Sequence, residues 1–256
     1  MSLMQNIHQG RESRPPRILL YGIEGIGKST FAAAAPKPIF IQTEDGLSEI
    51  ECDRFPLATR FDEVEQALVS LATEKHDYQT VVIDSLDWLE RLIWDDLCRQ
   101  YHVSSIEKVD GGYSKGYVHA LTPWRNVLGL LNRLRLERNM VVIGIAHSRI
   151  EKFEDPETSA YDRYSPRLNK HAQGLVCEWV DAVLFATRKL RTQTEDAGFG
   201  RKRSIAAPIG VAGGERVLRC VGGPTCVAKN RFCLPEELPL DWQSFMNSLI
   251  NKQGRT

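Results

Sequence analysis

Apolar and polar positions along this chain fall into two recurring textures. The first is a short, nearly unbroken apolar run that stops at a glycine, an acid or a histidine: RILLYG at 17–22, PIFIQTE at 38–44, TVVIDS at 80–85 and MVVIGIAH at 140–147. Such runs predict buried parallel strands, because a strand covered on both faces has no wetted side to carry alternate polar residues. The second texture repeats its apolar residues every three or four positions. Residues 61–75 place Phe61, Val64, Ala67, Leu68 and Leu71 on one helical face. STFAAAA before Pro36, LDWLERLIWDDLCRQY at 86–101, a segment over about 120–138 and the late DWQSFMNSLI predict further helices.

CEWVDAVLFATR at 177–188 predicts a fifth strand, and RVLRCVG and TCVAKNR predict short closing strands. Strand and helix textures alternate. The expected fold class is therefore α/β: a mostly parallel twisted sheet flanked by helices, with short antiparallel strands at its C-terminal edge. Three stretches lack periodicity. Residues 103–118 contain glycines among polar residues and predict a mobile loop; 148–172 is charged and holds Pro156 and Pro166; 190–215 predicts a surface loop or wide hairpin. No repeat is visible, so the expected organisation is a loose leader over 1–14, one core over 15–250 and a tail over 251–256.

Composition narrows the picture only slightly. The 256 residues carry 33 Lys plus Arg against 33 Asp plus Glu, a formal net charge of zero. A monomeric nucleic-acid binder is usually more basic, so any polyanion site must be a local patch or be assembled by several subunits. The cysteines at 52, 98, 177, 220, 226 and 233 show no zinc-ligand spacing and read as buried thiols in a reducing compartment. Neither a signal-like nor a membrane-length apolar run is present, so a soluble cytoplasmic protein is expected, with no membrane partner.

The chemistry concentrates where the first strand meets the first helix: Gly22-Ile23-Glu24-Gly25-Ile26-Gly27-Lys28-Ser29, then Thr30. This is a phosphate-binding P-loop in the position that its chemistry requires. Consecutive backbone N–H groups form an anion nest, and the helix start adds the positive end of its dipole. Lys28 would reach the β- and γ-phosphates, and the Ser29 hydroxyl would ligate Mg²⁺. Asp84 ends the third apolar run; it suits a Mg²⁺ partner and is also compatible with capping the helix that follows. Glu44 and Asp45 end the second run, at the edge where ligands of parallel sheets bind, and either acid could orient or deprotonate a water. His147 closes the fourth run at the same edge, placed to sense a γ-phosphate.

Together GIEGIGKS, IQTED, VVIDSLDWL, VVIGIAHS and VAKNR resemble the RecA/RadA superfamily of P-loop ATPases. More narrowly, residues from about 15 to 250 resemble phage-type AAA-family nucleotide-binding proteins, some of them core-only RecA-like single-strand annealing proteins. The resemblance implies a RecA-like P-loop NTPase fold, ATP as the nucleotide with Mg²⁺, and slow, DNA-stimulated ATPase activity. It implies assembly into a ring or filament and single-stranded DNA as partner, in support of annealing or recombination. Glu44 matches the catalytic glutamate of this superfamily, and His147 stands where the family often carries a glutamine sensor. Lys229 and Arg231 match a K-x-R pair presented to the neighbouring subunit's nucleotide. Strand alternation would put both on one face, where two cations repel unless a polyanion meets them.

In such proteins the loops after the third and fourth strand units line a DNA channel. The matching segments here offer Lys108, Tyr113 and Lys115 in the first and Arg149 in the second. In the second segment, however, Arg149, Lys152, Arg163, Arg167 and Lys170 are balanced by Glu151, Glu154, Asp155, Glu157 and Asp162. Arg201, Lys202 and Arg203 form a third, more basic candidate. Two other uses of the same loop stay open: a small-molecule or protein kinase, and a nucleotide-gated assembly scaffold without turnover.

Overall fold

The runs expected as buried strands lie side by side. A computed structural model describes Met4, Ile7, Gln9, Gly10 and residues 12–196, 202–208 and 214–253. Its parallel core consists of β1 (Arg17–Gly22), β2 (Pro38–Gln42), the two-residue β3 (Asp53–Arg54), β4 (Thr80–Asp84), β5 (Val141–Phe153) and β7 (Ala182–Arg188). These run in the spatial order β7-β1-β5-β4-β2-β3. Past β7 come the antiparallel β10 (Arg216–Arg219) and β12 (Glu237–Pro239), while the two-residue β11 (Lys229–Asn230) pairs with the start of β7. This is the expected α/β class, a mostly parallel sheet flanked by helices, with short antiparallel strands at the C-terminal edge.

Strand alternation sends successive residues to opposite faces, and both are covered. Leu19, Tyr21, Ile41 and Val81 pack under α2 (Phe61–Thr73), α3 (Leu86–Gln100), α5 (Leu121–Glu137) and α6 (Lys170–Trp179). Ile18, Leu20, Phe40 and Val82 pack against α1 (Lys28–Ala33) and α7 (Trp242–Gln253), where Phe31 meets Trp242 and Phe245 edge-on. The central strands are solid apolar runs for this reason.

Several expectations need correction. Residues 103–118 are not a mobile loop: they hold a 3-10 turn over Ile106–Gly111 and a short helix α4 (Lys115–His119). Ile106 and Val109 are buried and anchor the segment, which the glycines obscured. Within the charged 148–172 stretch, residues 148–166 form a β-hairpin and the last three open α6. β5 runs on past His147, where its parallel ladder ends, and β6 (Tyr161–Pro166) returns along it. The fifth strand starts late, because Cys177–Trp179 close α6 before β7 begins at Ala182. Within 190–215 the expected hairpin is present, formed from β8 (Leu190–Asp196) and β9 (Lys202–Pro208). Among the described residues no helix is long and apolar enough to cross a membrane.

Candidate nucleotide site

The loop over residues 22–29 leaves β1 through a position that only glycine fits. A Cβ on Gly22 would run into the carbonyl oxygen of Ala186 on the neighbouring β7. Gly25 and Gly27 take positive φ, +69° and +107°, which side chains resist. Nothing lies within 4 Å of where a Gly25 Cβ would stand, so this part of the cradle is open to a ligand. Ile26 is fully buried and pins the loop to the core, whereas Ile23, Glu24, Gly25 and Thr30 are exposed. The Lys28 ammonium donates to the carbonyls of Gly22 (3.1 Å) and Ile23 (2.9 Å). Burial lowers the Lys28 pKa, while the charges of Asp84, Glu44, Asp87 and Glu24 oppose that shift.

The tips of β2 and β4 are sewn together beside the loop. Thr43 N–H donates to the Asp84 carbonyl (2.8 Å). The Thr43 hydroxyl donates to the Ser85 carbonyl (2.7 Å) and accepts the Ser85 N–H (2.9 Å). The Ser29 hydroxyl donates to Asp84 Oδ2 at 2.6 Å. Burial raises the Asp84 pKa, with the Ser29 hydrogen bond and the Lys28 charge working against it. A hydroxyl and a carboxylate this close, in a buried setting that disfavours the bare anion, are a hard-oxygen pair that fits Mg²⁺. Among the described residues no cluster of three or more His, Cys, Asp or Glu could hold a metal. At the Ser29–Asp84 pair an ion would be held by one carboxylate, one hydroxyl and substrate phosphates.

Glu44 follows Thr43 and is half-buried, while Asp45 is exposed. Glu44 Oε1 lies 3.8 Å from His147 Nε2. Burial raises the Glu44 pKa; His147 opposes, and Asp84 and Asp87 reinforce. His147 pairs with Gly22 in the β1–β5 ladder, so its ring stands at the root of the loop. Sequence reasoning thus brought Lys28, Ser29, Asp84, Glu44 and His147 to one place, and the chain puts them there. It missed the other side of His147. Nδ1 lies 3.0 Å from Asp87 Oδ2, and the His147 backbone N–H donates to Asp87 Oδ1 at 3.0 Å. Arg167 donates to the same carboxylate through Nη2 (2.7 Å) and Nε (3.1 Å), and reaches Glu24 of the loop at 3.6 Å. Burial alone would raise the Asp87 pKa, but the His147 and Arg167 hydrogen bonds outweigh it and hold this acid well below the usual range. One turn on, burial pushes Glu90 up to about 7 even though Asn169 N–H donates to it at 2.9 Å.

The remaining expected residues lie elsewhere. Lys229 pairs with Val183 at the start of β7, whereas Gly22 pairs with Ala186 near its end. The K-x-R segment therefore sits at the opposite edge of the sheet from its own loop. The expectation of two free cations facing out together is corrected for Lys229. Its ammonium donates to the carbonyls of Cys177 (2.9 Å), Glu178 (2.7 Å) and Val180 (2.7 Å), where α6 leaves backbone acceptors unpaired. Arg231 is about half exposed and reaches Asp181 at 3.5 Å, an acid already held by Arg17 at 2.8 Å and Arg135 at 3.3 Å. Tyr113 is 95% exposed, in a turn where residues 110–114 all have positive φ. Nearby Lys108 donates to Ser104, and Lys115 donates to the Asp110 carbonyl. Arg149 is engaged by Ser165, Glu151 and Gln173. Arg201 lies outside the described residues; Lys202 and Arg203 stand on β9 opposite Asp196 and Glu195.

The family described as AAA domain matches residues 14–232. The SPbeta prophage-derived uncharacterized protein YorG of Bacillus subtilis (strain 168) is 26% identical over 172 residues, 66% of this chain and 49% of that protein. The chain thus spans about half the length of this curated relative. Among solved structures, the crystal structure of the RadB recombinase aligns over 90% of each chain at 14% identity, with a TM-score of 0.47.

Proposed function

This chain belongs to the AAA domain family, and we propose that it is a RecA-like P-loop protein that binds and hydrolyses ATP, oligomerises, and binds single-stranded DNA in support of annealing or recombination. The observation that carries the ATPase reading is the convergence of Lys28, the Ser29–Asp84 pair and the Glu44–His147 pair on the root of one glycine loop. In this reading the loop N–H groups and Lys28 hold the phosphates of ATP. Glu44 accepts a proton from the attacking water, a task that suits a carboxylate whose pKa burial has raised. His147 meets the γ-phosphate from the β5 side. Mg²⁺ held at Ser29 and Asp84 would draw charge from the β- and γ-phosphate oxygens.

The DNA part leans on the family resemblance, with Tyr113 as its best-presented group: a fully exposed ring suits base stacking. The test is ATP turnover with and without single-stranded DNA. Stimulation supports the reading. Phosphate delivered to an acceptor would point to a kinase, and tight binding without turnover to an assembly scaffold.

Assembly supplies a separate prediction. Residues 229–231 lie across the sheet from their own loop, so a phosphate contact by Arg231 would have to be to a neighbouring subunit. Arg231→Ala is expected to leave nucleotide affinity of isolated protomers unchanged while suppressing turnover and nucleotide-dependent assembly. Mixed one-to-one with Glu44→Gln, it should regain activity, since about a quarter of randomly formed interfaces would pair an intact base with an intact arginine. Absence of any regain in assembled mixtures would show that Arg231 acts within its own subunit.

A further inference from the structure

Glu44 and His147 are each one contact away from the loop, but what aims the imidazole lies behind it. Asp87 is almost fully buried and meets His147 twice, at the backbone N–H through Oδ1 and at Nδ1 through Oδ2. An acid that grips both the backbone and the ring of one residue fixes the ring's rotation as well as its position. Nδ1 faces only carboxylate oxygen, so the proton of a neutral ring sits there and Nε2 is turned toward Glu44, 3.8 Å away. Asp87 is itself held. Arg167 closes on Oδ2 through both Nε and Nη2, while the His147 N–H holds Oδ1, so each carboxylate oxygen has its own charged or backbone donor. The backbone seals the corner, because Arg167 N–H donates to the His147 carbonyl at 2.8 Å. The same guanidinium reaches Glu24 on the exposed side of the loop, at 3.6 Å.

We infer that Asp87 and Arg167 are positioning residues for ATP hydrolysis, an ion pair between a buried acid and a partly exposed arginine that holds His147 with Nδ1 protonated and Nε2 aimed at Glu44. Neither residue touches the phosphates in this account. Their effect passes through the His147 ring, and the inference rests on Glu44 being the residue that handles the attacking water. Removing the charge of Asp87 should therefore slow the chemical step and leave nucleotide affinity alone, because the loop and Lys28 are untouched.

The test is a double-mutant cycle on the full chain. Asp87→Asn is expected to lower kcat roughly 10–100-fold, the usual cost of losing the partner that orients a catalytic imidazole, with ATP affinity within about twofold of the parent. In a His147→Ala background the same substitution should cost nothing further, since the ring it positions is gone. Arg167→Gln, at a partly exposed site that tolerates change, should show a smaller loss with the same dependence on His147, and it carries the cycle if Asp87→Asn does not fold. Nitrogen-15 NMR of the histidine ring reads the same claim without turnover: Nδ1 protonated in the parent, and the tautomer released in Asp87→Asn. Equal losses in both backgrounds, a fall in affinity in place of kcat, or an unchanged ring spectrum would each overturn the inference. Glu44→Gln, measured alongside, separates the two readings. Normal turnover there removes the base on which this inference rests, whereas an inactive Glu44→Gln with additive Asp87 and His147 effects removes the positioning claim alone.

Discussion

Lys28→Ala is expected to abolish ATP binding and leave the fold intact. In the parent, ATP at about 100 times its Kd should stabilise the protein by ~2.7 kcal/mol, which for a chain of this size is a rise in Tm of roughly 5–10 °C. The mutant should show no rise at all. Without ligand, its melting point should stay close to the parent's, for two opposing reasons. The substitution loses two hydrogen bonds from the ammonium to the Gly22 and Ile23 carbonyls. It also removes a cation whose burial already disfavours the charged form. The packing of the loop comes mainly from Ile26, which is untouched. Thermal melts with and without ATP decide the matter, and an equal ligand-induced shift in both proteins would sink the assignment of this loop.

Turnover should fall roughly 10²–10⁴-fold in Glu44→Gln, the usual worth of a general base, with ATP still bound. The pH profile adds a signature. A base works in its ionised form, so activity is lost as pH falls through its pKa. Burial has raised the Glu44 pKa above that of an ordinary carboxylate, so the acid limb of kcat/KM in the parent should lie above the usual glutamate range. Residual activity of Glu44→Gln should lack that limb. Should Glu44→Gln turn over normally while Asp45→Asn does not, the neighbouring acid is the base. The geometry disfavours this, since Glu44 faces His147 and Asp45 is exposed.

The parts of this molecule that could be read from sequence are those whose physics is local. The strand-loop-helix around Gly22–Ser29 is self-contained within about a dozen residues. The apolar runs 80–85 and 140–147 announce their burial without reference to any partner. Asp87 could not be found this way. As an acid in the first turn of a helix it reads as dipole complement, and the arginine that defines its role lies 80 positions further along the chain, inside a segment of balanced charge. Lys229 hid for a different reason: its partners are backbone carbonyls, which carry no residue signature. At 177–179 the apolar pattern fits a helix end as well as a strand start, and tertiary packing decided for α6. The two-residue β3 and β11 exist only because a neighbouring strand offers them an edge.

The helix α6 is fastened at both ends. Beside the loop, Arg167 is bound to Asp87 and to the His147 carbonyl, and Asn169 to Glu90. At the far edge of the sheet, Lys229 gathers three carbonyls from the residues where the helix stops. Ten residues of helix span about 15 Å, and Ala172 and Val176 press its middle into the core. Such an element is a tie rod of fixed length, with no slack to absorb movement. Whatever shifts the corner beside the phosphates by an ångström must carry Lys229 with it, or first break a charged hydrogen bond.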